Sequence, residues 1–320
     1  MAERVLVTGA AGFIGRAVVR ALRERDVPVT AVDREPPDPT WDDGVTVVTG
    51  DLADQEVCIG AFETRPTAVV HLAALTSVQR SVEAPMATFA QNVTITQVLL
   101  ELSRGSGVDR FVLASTNAVV GDVGTATITA DLPLSPLTPY GATKAAGEML
   151  LSAYSGSYGL ATAALRFTNV YGPGMSHQDG FVPRLMRAAL AGTGVQVHGD
   201  GSQRRDLVYV DDVVNAVLLA LETGYNGRAI IGSGHSLSAL ELVEAVRAIT
   251  GKPLPVEHVE EPAGEASAAV VDIANDLGYA PTVSLDEGLA RTWSSVAGVA
   301  NTQLSKSQNF TTNSAAKVKK

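Results

Sequence analysis

Tyr140 and Lys144 are the two side chains in this sequence whose types and spacing could move a proton. They stand four residues apart in Pro139 to Tyr158, a stretch that reads as a helix with proline in its first turn. Residues at that separation leave a helix on one face. A tyrosine with its ordinary pKa of roughly 10 is a poor base near neutrality, but an adjacent ammonium favours the phenolate and would lower that value. Such a pair can take the proton of a hydroxyl. The spacing also arises by chance in any helix, so its meaning depends on what positions it. The buried strand Phe111 to Ala114 comes before it and ends at Ser115-Thr116-Asn117.

The start of the chain supplies a second chemical signal. The apolar run Val5-Leu6-Val7 leads into Thr8-Gly9-Ala10-Ala11-Gly12-Phe13-Ile14-Gly15 and then an amphipathic helix bearing Val18, Val19 and Leu22. In a strand-turn-helix of this kind the first glycine permits the tight turn and the second lets backbone N–H groups approach a pyrophosphate. The third lets the helix pack closely. The helix N-terminus adds free N–H donors and partial positive charge. A second strand, Val29 to Val32, ends in Asp33, 18 residues after Gly15. A carboxylate there can take both ribose hydroxyls of an adenosine and repels a 2′-phosphate, which favours NAD over NADP, although Arg34 stands next to it.

Strand and helix signals alternate from residue 4 to about 170, which predicts an α/β fold with a doubly wound parallel sheet. After the acidic, Pro-rich loop Glu35 to Gly44 come strands Val45 to Thr49, leading to Asp51-Leu52, and Ala68 to Val70, leading to His71-Leu72-Ala73-Ala74. Small residues at a strand's carboxyl end let a ligand lie close, and that edge is where open α/β sheets bind. A single long helix is expected from Met86 to Ser103, carrying Asn92, and another over Ser238 to Thr250.

Composition narrows the classes. With 320 residues, 46% hydrophobic content and a net charge of −10, the chain has no basic stripe for nucleic acid. No apolar run approaches the ~20 residues of a membrane span, and the first residues enter a strand instead of a signal peptide. Cys58 is the one cysteine, a small filler on a helix face, so a cytoplasmic setting is expected. The five histidines form no ligand pattern and no metal is expected. From Asn301 to Lys320 there are four lysines and no acids, and the segment 299–320 is read as disordered or appended for expression. Without those four charges the body stands at −14.

Taken in order, Gly9-x-x-Gly12-x-x-Gly15, Asp33, Asp51-Leu52, His71-Leu72-Ala73-Ala74, Asn92, Ser115-Thr116, Tyr140-x-x-x-Lys144 and Arg166 to Gly174 resemble the extended short-chain dehydrogenase/reductases that act on nucleotide sugars. The resemblance runs from residue 4 to about 295 and includes Gly199 to Asp212. It implies a Rossmann domain over 1–170, with the chain crossing back around 200–230, and a smaller C-terminal substrate-binding lobe, mainly 171–298. NAD would be held by Gly9, Gly12, Phe13, Ile14, Gly15, Asp33, Asp51, Leu52, Leu72, Ala73, Ala74, Asn92, Tyr140 and Lys144. A nucleotide-diphosphate sugar would meet Ser77, Thr116, Asn117, Asn169, Val182 and Arg205, with the loop His177 to Pro183 beside the base. Arg205 would hold a phosphate; its alternative reading is a surface ion pair with Asp206. A homodimer through two long helices is implied by the same analogy.

The implied chemistry takes a sugar hydroxyl's proton on Tyr140, with Thr116 bound to the same oxygen, Lys144 holding the ribose and the hydride passing to NAD. Members that eliminate water resemble Ser-Thr-Asp-Glu after this strand. This chain has Asn117 and Ala118 there, which cannot exchange protons near neutrality, so it is more similar to the 4-epimerases. The alternatives are a dehydratase or 4-ketoreductase of the same family and, from another class, a non-catalytic NAD-binding protein. Two departures stand out. Val120 occupies a position usually held by Tyr, and Pro262 one usually held by a phosphate-binding Arg. Either Arg204 substitutes for the latter or the substrate is not a standard diphosphate sugar.

Overall fold

The computed structural model describes residues 3–175, 178, 180–260 and 270–298. In chain order the first half runs β1 (Val5–Thr8), α1 (Phe13–Arg23), β2 (Val29–Asp33), β3 (Val45–Thr49), α2 (Gln55–Glu63), β4 (Ala68–His71), α3 (Val78–Glu83), α4 (Pro85–Phe89), α5 (Ile95–Ser106), β5 (Arg110–Thr116) and α6 (Pro139–Tyr158). It continues with β6 (Ala161–Phe167), β7 (Asn169–Tyr171), α7 (Phe181–Ala191), β8 (Val195–His198), β9 (Arg204–Tyr209), α8 (Val210–Thr223), β10 (Gly227–Ile231), β11 (Ser236–Ser238), α9 (Ala239–Thr250) and β12 (Val256–Val259).

Seven strands form one sheet in the order β10-β6-β5-β4-β1-β2-β3. The pairings are parallel throughout, as in Val5 with Val29 on one side and Ala68 on the other. This is the expected doubly wound Rossmann sheet. Parallel strands covered on both faces need continuous apolar runs, which β1 and β4 supply with every residue buried. Leu6, Leu99, Leu100, Phe111 and Leu113 are each no more than 2% exposed in the core between sheet and helices. Each contributes ~1.5–3 kcal/mol by leaving water. Strand order reverses between β1 and β4, so the switch point, where such sheets bind ligands, lies at Thr8–Gly9 and His71–Leu72.

Two compact units divide the chain. One comprises Met1–Val170, Arg204–Ser236 and Gly264–Thr282, the other Tyr171–Gln203, Leu237–Ala263 and Val283–Lys320. The second unit pairs β8 with β12, packs α7 against α9 and has a further helix over 285–298.

α6 has the expected bounds, and its ends show why. Thr138 caps Gly141 N–H, Pro139 opens the first turn, and Gly159 closes the helix at φ +72°. The single helix expected from Met86 to Ser103 is instead interrupted. Between α4 and α5 the residues Ala90–Thr94 form a π-turn with Asn92 at its centre. The Thr96 hydroxyl donates to the Asn92 carbonyl at 2.6 Å, and side-chain competition of this kind loosens a helical ladder.

Candidate active site

Each glycine of the first turn does separate work. Gly9 takes φ +68°, and a Cβ there would stand 2.8 Å from Ala73 N, so the ends of β1 and β4 meet backbone to backbone. A Cβ on Gly15 would lie 2.0 Å from the Gly9 carbonyl oxygen, which leaves α1 resting on the turn itself. Gly12 is different. It caps α1 in an extended conformation open to any residue, and its Cβ would touch only Gly9 O, at 3.1 Å. The missing side chain therefore leaves open space before a helix N-terminus that has no side-chain cap and no acid in its first turn. An anion fits there.

Residues around this turn are tied to it. Asp33 closes β2 and accepts from Ala11 N–H at 2.9 Å and Glu35 N–H at 3.1 Å. Leu72 N–H donates to Thr8 O and Ala73 lies against Gly9; Ala73, Ala74, Phe13 and Ile14 are half-buried. Asp51 caps Ala53 N–H and reaches the exposed Arg34 at 3.7 Å. Leu52 is buried, and its carbonyl accepts from the Cys58 thiol at 3.2 Å. Burial pushes that thiol up to about 11, in keeping with a packing role. Asn92 is 4% exposed with both amide hydrogens committed, to Leu75 O and Thr143 Oγ1 at 3.0 Å each, while its oxygen takes Leu75 N–H at 2.8 Å. It braces the loop after β4 against α6.

Thr116, Tyr140 and Lys144 come together where β5 meets α6. A Cβ on Gly141 would stand 2.6 Å from Ala118 O, so the first turn of α6 sits directly on the residues after Thr116. Thr116 accepts from Ala118 N–H at 3.2 Å, and its side chain acts on the Tyr140 phenol. The expected lowering of the Tyr140 pKa by Lys144 is overturned. Burial pushes the phenol up to about 12, with the Thr116 side chain pulling it part of the way back. Lys144 donates to the Ala114 carbonyl at 2.8 Å, and burial brings its own pKa down to about 8, against the attraction of Glu148.

Glu148 and Arg166 support this site in a way that spacing alone did not reveal. Their ion pair is 2.7 Å long with side chains 2% and 0% exposed. Ser115, next to Thr116, donates to the same carboxylate at 2.5 Å, and Arg166 also reaches Ala130 O. The signal available was Glu148 one turn beyond Lys144 on a shared face. Two buried oxygens among the described residues have no hydrogen-bond partner, Asn117 Oδ1 and Thr168 Oγ1.

Other expected substrate residues are more dispersed. Ser77 is exposed and caps Arg80 N–H in α3. Asn169 is exposed, with its amide donating to Asp206 O at 3.0 Å. Arg205, half-buried in β9, donates to Arg204 O, and Arg204 donates to Ser236 O. Asp206 is fully buried, with its carboxylate accepting from Ser233 N and Oγ at 2.9 Å each, so it is no surface partner for Arg205. Val182 is 3% exposed in α7 of the other unit. Val120 does not line an opening; it is packed with Val119, Ile128 and Ala145. His177 and Pro262 lie outside the described residues.

Residues 5–232 match the model of the NAD dependent epimerase/dehydratase family. The chain belongs to that family. It is 34% identical over 309 residues to a dTDP-glucose 4,6-dehydratase of Actinoplanes sp., covering 90% of this chain and 96% of the relative. The structure of UDP-glucose 4-epimerase with UDP-glucose from Thermotoga maritima superposes with a TM-score of 0.88 at 34% identity, covering 93% of this chain and 99% of that one. The Thermus thermophilus UDP-glucose 4-epimerase complex with NAD gives a TM-score of 0.86 at 36% identity, covering 92% and 99%. The epimerase/dehydratase family is one of NAD-dependent enzymes of nucleotide sugars of the extended short-chain dehydrogenase/reductase type. NAD is thus the cofactor, and the turn at Gly9 to Gly15 has the shape for its pyrophosphate. Among the described residues no acidic, histidine and cysteine cluster could hold a metal ion, and no helix is long and apolar enough to cross a membrane.

Proposed function

We propose that this protein is a nucleotide-sugar 4-epimerase. The observation that carries the reading is the Thr116, Tyr140 and Lys144 cluster at the sheet's carboxyl edge, followed by Asn117 and Ala118, which have no proton to exchange. NAD, when bound, supplies the acceptor that takes the hydride from the sugar carbon and gives it back. Tyr140 takes the hydroxyl proton and Thr116 orients the same oxygen. The Lys144 ammonium, fixed on Ala114 O, holds the ribose. Asn117 Oδ1 accepts from a sugar hydroxyl, which removes the ~1–3 kcal/mol burden of an unpaired buried acceptor. Arg205 carries a phosphate of the diphosphate.

A dehydratase is the second reading, favoured by the likeness to the Actinoplanes enzyme. The purified protein should be screened by NMR against a panel of nucleotide sugars, and its released cofactor identified. Interconversion of two C4 epimers without net redox supports the epimerase; water loss supports the dehydratase, and NADH consumption a ketoreductase. A chain with bound NAD and no turnover of any sugar refutes both leading readings. The same reading includes a homodimer in a reducing, cytoplasmic compartment. The homodimer rests on the exposed apolar residues Val82, Met86, Phe89, Met149 and Tyr158 of α3, α4 and α6. Met149→Glu should then shift the mass measured by light scattering from two chains to one.

A further inference from the structure

A single line of hydrogen bonds runs from the glycine turn to the helix that carries Tyr140. His71, at the end of β4 and 1% exposed, stands in its middle. Its Nδ1 is 2.7 Å from Thr8 Oγ1, and its Nε2 is 3.1 Å from Thr96 Oγ1. The remaining partners of the two hydroxyls set the direction. Thr96 spends its hydrogen on Asn92 O at 2.6 Å, so it accepts from His71 and Nε2 carries the proton. Thr8 Oγ1 accepts from Ala73 N–H at 3.3 Å, and its own hydrogen goes to Nδ1. Beyond Thr96 the line continues through Asn92 Nδ2 to Thr143 Oγ1 at 3.0 Å, and from the Thr143 hydroxyl to Tyr140 O at 2.8 Å.

Both ends of the line are functional positions. Thr8 opens the nucleotide turn, and its neighbour Gly9 lies against the same Ala73 that Thr8 binds. Thr143 sits one turn into α6, with its hydroxyl on the Tyr140 carbonyl. We propose that His71 is a positioning residue, a neutral imidazole held in one orientation that ties the nucleotide turn at Thr8 and Gly9 to the Asn92 and Thr143 brace beneath Tyr140. The link to Tyr140 rests on the proton-transfer role assigned above. Burial and the nearby Lys144 charge bring the His71 pKa down to about 3, which keeps Nδ1 an acceptor. An imidazolium would instead aim a second donor at the Thr8 hydroxyl.

Two substitutions separate the halves of the ring. His71→Asn keeps an acceptor near the place of Nδ1 and drops the Thr96 link; His71→Gln keeps a donor near Nε2 and drops the Thr8 link. One buried hydrogen bond corresponds to roughly 3- to 10-fold in an equilibrium or rate constant. His71→Gln should therefore weaken NAD binding by about that factor, measured by titration of the cofactor-stripped full chain. His71→Asn should bind NAD within about 2-fold of the parent and lose about 3- to 10-fold in kcat with the sugar substrate. Lower Tm with both constants unchanged would reduce His71 to a core residue and overturn the proposal. A measurement on the unsubstituted protein covers variants that fail to fold. Imidazole ¹⁵N NMR should show one neutral Nε2–H tautomer from pH 5 to 9; the Nδ1–H tautomer, or titration in that range, would overturn it. The NAD and NMR arms need no sugar turnover, so they stand or fall apart from the epimerase reading.

Discussion

Gly15→Ala offers the sharpest check on how the nucleotide turn is built. The added Cβ would lie 2.0 Å from Gly9 O and 2.8 Å from both Ala10 Cα and Ala10 O. All three are backbone atoms, so no side-chain rotation gives relief. Ordinary carbon to oxygen contact needs roughly 3.2–3.4 Å, and α1 must therefore move off the turn by about 1 Å or more in a close-packed interior. Overpacking of that kind costs about 3 kcal/mol, which for a protein of this size lowers Tm by about 6–12 °C. The shift also moves the α1 N-terminus, which would weaken the binding of any pyrophosphate held at this turn. Gly12→Ala is the control, because its Cβ meets one atom at 3.1 Å and its extended backbone suits alanine. Its Tm should fall by no more than about 2–4 °C, whereas NAD affinity should drop at least about tenfold because the methyl enters the open space before the helix. Differential scanning fluorimetry without NAD and calorimetric NAD titration read the two effects separately. Equal loss of Tm in both variants, or an unperturbed Gly15→Ala protein, refutes the division of labour among the glycines.

The remaining predictions address the cluster around Tyr140. Lys144 has a folded pKa of about 8 against 10.5 for the free side chain, so between those values the unfolded chain holds more protons and stability rises with pH. Lys144→Met should remove up to about 1.4 kcal/mol per pH unit of that slope between pH 8 and 10.5, seen in urea melts, and an unchanged slope refutes the buried ammonium. Glu148→Gln leaves the buried Arg166 guanidinium without its partner and should cost ~3–5 kcal/mol; a Tm within 2 °C of the parent, by scanning calorimetry, would contradict that. Arg205→Ala should raise the KM for the nucleotide sugar by at least about tenfold with retained NAD unaffected, and an unchanged KM refutes its phosphate role.

Local rules made much of the architecture legible. Short buried runs such as Val5-Leu6-Val7 and Ala68 to Val70 could only be covered strands, and Pro139 marked the first turn of α6. The shape of the glycine turn was readable because it answers to neighbours close in the chain, with Asp33 at the end of β2 taking Ala11 N–H. Periodicity could not show the π-turn at Ala90–Thr94, since it arises where Thr96 competes for the Asn92 carbonyl. Nor could spacing show that Asn92 spends both amide hydrogens on Leu75 and Thr143.

The sequence by itself therefore determined the strand and helix order, the nucleotide turn and the pairing of Tyr140 with Lys144 on one helical face. Only the tertiary structure decided the electrostatics of that face. Whether an ammonium lowers a neighbouring phenol depends on what else each group touches and how far both are removed from water. Here the Ala114 carbonyl takes Lys144, burial raises the Tyr140 phenol, and Glu148 pairs with Arg166, 18 residues on in the chain, while holding Ser115 beside Thr116. Pairings of that kind follow from strand order, not from the residues beside them.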